Sequence, residues 1–164
     1  MWSRDGWSGA VTANVATDAA PSMWAKAKAL DALQWRCLIL SLVLLPLIDV
    51  GLRTMGYKRT VAALNRWARS FASGAHKDGE SEARLKRMAR VVSVAGRRSL
   101  WPTSCLRQAL CLWFLLARRG IVVEVRIGVD KPADGQFVAH AWVERQGQVL
   151  IGGDQVQERY AVLL

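Results

Sequence analysis

The chain reads as an α+β protein, with helices first and a small antiparallel sheet last. Three observations predict this. Apolar residues recur at helical spacing up to about residue 117. From Ile121 the period becomes two. Short Gly- and Pro-containing turns then divide the alternating run into strands.

Residues 1–22 read as a weakly ordered tail, rich in Ala, Ser, Gly, Thr and Asp, with Trp2 and Trp7 as its only large apolar side chains besides Val and Met. Pro21-Ser22 is placed to open a helix over residues 23–30. Residues 37–48, Cys-Leu-Ile-Leu-Ser-Leu-Val-Leu-Leu-Pro-Leu-Ile, are the most apolar run, followed by Asp49 and Arg53. A membrane span needs about 18–20 apolar residues. These twelve therefore read first as a buried core helix. The second reading is a helix lying against a membrane or partner protein, and a span is the last.

Residues 57–71 predict a short amphipathic helix on Val61, Leu64 and Ala68. Residues 73–79 read as a linker that includes a solvated His76. A helix from Ser81 to about Ala95 follows, with Leu85, Met88, Val91 and Val92 on one side. Residues 23–99 thus form a basic, mostly helical region ahead of residues 100–164.

Thr103 or Ser104 is positioned to cap a helix starting at Cys105, and Arg118, Arg119 and Gly120 suit its end. It is apolar nearly all round, so a central buried helix is expected. Ile121, Val123, Val125, Ile127 and Val129 then share a strand face. Residues 130–135 form a turn. A second strand alternates Phe137, Ala139, Ala141 and Val143 with Val138, His140, Trp142 and Glu144. Gln146-Gly147 makes a hairpin to Val149-Leu150-Ile151. The sheet should have about three strands.

The net charge of +10 is uneven. Residues 1–100 hold 16 Lys/Arg against 7 Asp/Glu, and residues 101–164 hold 7 against 6. The basic surface suits acidic lipid, an acidic protein or nucleic acid, or is a solvated helix face. Nucleic acid is the least supported, because no interleaved basic-aromatic strand pattern is present. Three cysteines, at 37, 105 and 111, make no disulfide framework and fit a reducing cytoplasm. Cys105 and Cys111 would be about 600° apart on a helix, which disfavours a shared metal with His140. Neither metal nor cofactor is expected.

Cys105, His140 and Asp154 fall in an order that suits thiol catalysis. A cysteine in the first turn of a helix meets free N–H groups and the positive end of the dipole, both of which favour thiolate. The same N–H groups suit an acyl oxyanion. A strand histidine supplies a base, and an acid beyond it an orienter. Against this stand the plain readings, a small core cysteine and a half-buried strand histidine. With the hairpin centred on Gly147, Asp154 would oppose His140, and Gly152-Gly153 would absorb a slip of register as a bulge. Glu144 shares His140's face but lies about 13 Å along the strand. Asp130 and Asp134, in the loop, are alternative acids.

Cys105-Leu-Arg-Gln-Ala-Leu, Leu115-Leu-Ala-Arg-Arg-Gly120, Ile127-Gly-Val and Ala139-His-Ala-Trp-Val-Glu144 with Gly147 resemble the transglutaminase-like leader peptidases of lasso-peptide biosynthesis, the B proteins. The resemblance covers about residues 101–152. It implies a papain/transglutaminase-like α+β fold and a Cys-His-Asp peptidase that cuts a ribosomally made precursor between leader and core. A separate ATP-dependent cyclase would then close the ring. Because residues 1–100 lack the strand-rich pattern of a fused recognition domain, the chain resembles the stand-alone peptidase, with a separate leader-binding protein as partner. Cys105 carries over as nucleophile, His140 as general base and acid, and Asp154 as the acid. In that family the acid often lies slightly nearer the histidine, where this chain has Gly152 and Gly153. The expected place is the cytoplasm, with peripheral contact to the inner face of the membrane. The rival readings are acyl transfer to an amine on the same fold, and a non-catalytic basic scaffold for a membrane or partner.

Overall fold

The computed structural model describes residues 31–71, 80–98, 104–130, 137–153 and 155–163. The expected tail, the helix over 23–30, the linker, Thr103, most of the 130–135 turn and Asp154 lie outside them. Helix α1 spans Ala32–Phe71, α2 Glu82–Arg98 and α3 Cys105–Ala117. Strands β1 (Glu124–Asp130), β2 (Val138–Arg145) and β3 (Gln148–Ile151) follow, then the short α4 (Val156–Arg159) and β4 (Ala161–Val162). The sheet is antiparallel in the order β3-β2-β1-β4. The α+β expectation holds, with four strands in place of about three.

Two expected helices merge into α1, but Gly56 breaks it with φ 75° and ψ 172°. Only glycine adopts this conformation at little cost. The break lets Thr60 pack on Gly51: a Cβ added at Gly51 would lie 3.1 Å from Thr60 Cγ2. A straight helix would hold those residues about 13.5 Å apart. Thr60 is buried, and its hydroxyl donates to the Gly56 carbonyl at 2.8 Å. Buried Ser41 likewise donates to Cys37 O at 2.7 Å. Both hydroxyls are thus satisfied inside the core.

The expectation of a buried core helix holds for one side of the run and not for the other. Cys37, Ser41, Leu44, Leu45 and Ile48 are buried. Ile39, Leu42, Val43, Leu47 and Val50 face outward. By length and composition alone α1 is long enough to cross a membrane, and a third of its most apolar 18-residue window is buried. Asp49 follows the apolar run but sits within α1, where its carboxylate receives Arg107 Nη1 of α3 at 3.2 Å.

Amphipathic α2 buries Leu85, Met88, Val91 and Val92, as its spacing predicts. Helix α3 is the centre of the fold. Ala109, Leu110, Cys111, Leu112, Phe114, Leu115 and Leu116 are all buried. Its end is closed by Ile121 N donating to Leu116 O at 3.1 Å, with Gly120 at φ 74°. Ala141 and Val143 of β2 join the same core, with Val125 and Ile127 of β1 packed against it. The sheet thereby offers one alternating face to α3.

Candidate functional site

Cys105 is the first residue of α3, and its thiol is half-buried against the core. Ser104 is the N-cap by backbone, with φ −70° and ψ 158°, but its side chain makes no capping bond. The first helical bond is Gln108 N to Ser104 O at 3.2 Å. Amides of the first turn therefore precede the hydrogen-bond ladder, the general arrangement that receives an anion at a helix start. Arg107, in that turn, is anchored to Asp49, with both side chains largely buried. The other two thiols are core groups. Burial pushes Cys37 up despite Arg119, and pushes Cys111 up to about 12.

His140 sits on β2, which packs against α3. It shares a face with Trp142 and Glu144, as alternation predicts. That face is not an open polar surface. Trp142 is wholly buried, and Tyr160 stacks on His140 with ring centres 5.1 Å apart. Tyr160 also tilts against Trp142 at 6.3 Å. Gly128 opposes His140 across the β1–β2 ladder. A Cβ at Gly128 would lie 2.9 Å from Tyr160 Cβ, so glycine there makes room for the ring.

The partner of His140 is a main-chain group. Its Nε2 lies 2.8 Å from the carbonyl oxygen of Gly152. A carbonyl oxygen only accepts, so Nε2 carries the proton and donates. In the neutral ring this leaves Nδ1 as the basic nitrogen. Gly152 has φ 129°. A Cβ there would overlap Trp142 Cβ and lie 3.1 Å from Trp142 Cα. No side-chain acid fits at 152 on this backbone.

The hairpin turn is Gln146-Gly147, both with positive φ, as its two-residue type requires. Beside the turn Arg145 pairs with Gln148 and Glu144 with Val149, but Val143 pairs with Ile151. Leu150 is the extra residue. The bulge thus lies two residues before the expected Gly152-Gly153 position. It restores the anticipated register at Val143 and brings Gly152 to His140. Asp154 lies outside the described residues. Asp130 ends β1, on the face of Gly128, and pairs with Arg159 Nε at 2.6 Å.

Glu144 is a clip and not an orienter. It accepts from Arg126 Nε at 2.8 Å, Gln157 Nε2 at 3.0 Å and Trp142 Nε1 at 3.2 Å. Desolvation works against its charge, but the hydrogen bonds from Gln157, Arg126 and Trp142 prevail and hold its carboxyl below the usual range. Through Gln157, which also donates to Gly147 O at 3.0 Å, Glu144 ties α4 to the hairpin.

Among the described residues no hydrogen bond joins the Cys105 thiol to His140. Strand β2 packs on α3 through Ala141 and Val143, whereas His140 lies on the alternate face with Trp142 and Tyr160, so the structure does not bring the two side chains together. Sequence reasoning missed the Gly152 carbonyl and Tyr160. The doubled glycine was the one signal for the first, and no periodic signal marked the second.

The family model described as the transglutaminase-like superfamily matches residues 51–164. The chain belongs to the transglutaminase-like superfamily. That superfamily supports a papain-like cysteine peptidase or acyltransferase. No curated protein and no solved structure matches the chain. The match begins within α1, so in this transglutaminase-like protein the second half of α1 and α2 lie inside the matched region with α3 and the sheet.

Proposed function

We propose that this transglutaminase-like protein is a cysteine peptidase that removes the leader from a ribosomally made lasso precursor peptide. The observation that carries the reading is the His140–Gly152 bond at 2.8 Å. It supports Nδ1 as a base of fixed tautomer, on a strand that follows the Cys105 helix in chain order. The Ala139-His-Ala-Trp-Val-Glu144 run supports the leader-peptidase branch of the superfamily.

In this reading His140 Nδ1 takes the proton from the Cys105 thiol when the peptide is bound. The two side chains are not joined in the free protein, so this step requires them to meet in the substrate complex. The thiolate attacks the carbonyl carbon of the leader–core bond, and its oxygen becomes an oxyanion near the first-turn amides of α3. The C–N bond breaks as His140 returns the proton to the departing core amine. A thioester remains on Cys105. His140 then deprotonates water, which attacks the thioester and releases the leader carboxylate and the free thiol. Asp154 is a further candidate to support the imidazolium. The core amine so formed is what an ATP-dependent cyclase needs for ring closure, and a separate leader-binding protein would deliver the precursor.

The test is mass spectrometry of the precursor encoded beside this gene, incubated with the chain and its neighbouring leader-binding protein. Wild type, Cys105→Ala and His140→Ala are run in parallel. Cleavage at one leader–core junction, lost in Cys105→Ala, is the expected result. Acyl transfer to added amines without hydrolysis would replace peptidase by acyltransferase. Equal cleavage by Cys105→Ala would remove the thiol mechanism.

A further inference from the structure

We propose that the outward face of the first half of α1 seats the protein on a bilayer that carries acidic headgroups. Between Cys37 and Leu52 the only charged residue is Asp49. Its carboxylate is already engaged by Arg53 at 3.0 Å and Arg107 at 3.2 Å. One side of this stretch is built into the core. The other side presents Trp35, Ile39, Leu42, Val43, Leu47 and Val50, each between 41% and 58% exposed. Their spacing follows a helix face, and from Trp35 to Val50 the ridge runs about 22 Å. The apolar surface extends into a groove of about 230 Å³ lined by Leu40, Val43, Leu47, Trp67, Phe71 and Phe114. Contiguous exposed apolar surface rimmed by polar residues marks a place where a protein meets a partner or a membrane.

Charge decides the occupant. Arg36 and Arg53 bracket the ridge, and both are exposed. Arg118 stands over the Phe71 ring at 5.5 Å, on the lip of the groove. Lys58, Arg59, Arg66 and Arg69 extend the positive surface along the second half of α1. A second copy docking through this face by twofold symmetry would set these cations against their equivalents. Hydrocarbon flanked by acidic headgroups satisfies both the apolar ridge and its cationic rim. Trp35 and Trp67 are of the type that favours that boundary. The contact is peripheral and does not span, because the opposite side of α1 is packed on α2 and α3. This proposal is independent of the peptidase reading.

The experiment is co-sedimentation of the full chain with vesicles of phosphatidylcholine alone and of phosphatidylcholine mixed with phosphatidylglycerol. Wild type is compared with Val43→Glu/Val50→Glu, the milder Val43→Ser/Val50→Ser, and Arg36→Gln. Both valines are more than half exposed, and circular dichroism verifies that each variant is folded. Wild type is expected to bind the acidic vesicles, and the glutamate pair to weaken binding by about tenfold or more. Arg36→Gln should weaken it about fivefold, the equivalent of one cation at an acidic surface. Equal binding to neutral vesicles would overturn the acidic requirement. Acidic-vesicle binding unchanged by either valine pair would overturn the role of this face. No vesicle binding, with light scattering showing a dimer that Val43→Glu/Val50→Glu dissociates, would assign the face to a second copy. No vesicle binding and no dimer would leave lipid overturned as the occupant.

Discussion

His140 and Gly152 meet through an imidazole nitrogen and a main-chain carbonyl oxygen 2.8 Å apart. A backbone group thus occupies the side of the ring where a carboxylate orienter was expected. A carbonyl fixes the tautomer as an acid would, but it brings no full negative charge to steady an imidazolium. Substitution at 152 therefore tests both orientation and space. Gly152→Ala places a Cβ against Trp142 and forces an L-residue toward φ 129°. It should cost about 3 kcal/mol of stability, read as a lower denaturant midpoint, and turnover of the precursor should fall with it. Gly152→Asp should be no better, despite supplying a carboxylate.

The three thiols should separate by reactivity. Cys105 is half-buried, whereas Cys37 and Cys111 are buried. Brief iodoacetamide treatment of the native protein near neutral pH should modify Cys105 alone, as read by peptide mass mapping. Cys37 and Cys111 should react only after denaturant is added. Because burial pushes the Cys111 thiol up to about 12, its resistance should persist into mildly alkaline solution. Early labelling of Cys111 would contradict the packing of α3.

Asp49 joins α1 to the first turn of the Cys105 helix through Arg107. Removing it leaves a largely buried guanidinium without that partner. Asp49→Ala should destabilise the protein by about 2 kcal/mol, measured by urea unfolding. Precursor cleavage should slow even where the protein remains folded, because the turn carrying the thiol is less firmly placed.

Glu144 gives a pH signature. Its folded pKa is lowered by the hydrogen bonds from Gln157, Arg126 and Trp142, against desolvation. Such a group stabilises the fold fully above its unfolded pKa of about 4.3. That contribution is lost as pH falls through the folded value. Glu144→Gln should therefore be less stable than wild type at neutral pH, and the gap should close as the solution is acidified below about pH 4. Thermal unfolding of both proteins across that range measures it. A gap that is constant with pH would show that the carboxylate charge contributes nothing beyond the amide.

Much of the architecture is legible in the residues themselves. The apolar spacing of Leu85, Met88, Val91 and Val92 marks α2 and its buried side. The nearly continuous apolar run after Cys105 marks a central helix, and Gln146-Gly147 marks the hairpin. The break at Gly56 was legible only as a join between two separate helices. The short α4 and β4 were missed. A four-residue helix and a two-residue strand are too brief to develop a period, and both exist because Gln157, Arg159 and Tyr160 find partners on the sheet.

The sequence by itself determined the order of helices and strands, and it singled out Cys105 and His140. Those are properties of local periodicity and of side-chain chemistry at a helix start or on a strand. Only the tertiary structure decided what holds His140. The bulge at Leu150 shifts the register, and a main-chain carbonyl has no signature in the residue string. Tertiary packing alone also decided that α1 would bury one side and leave Ile39, Val43 and Val50 outward. An apolar run carries no record of which of its faces the rest of the chain will cover.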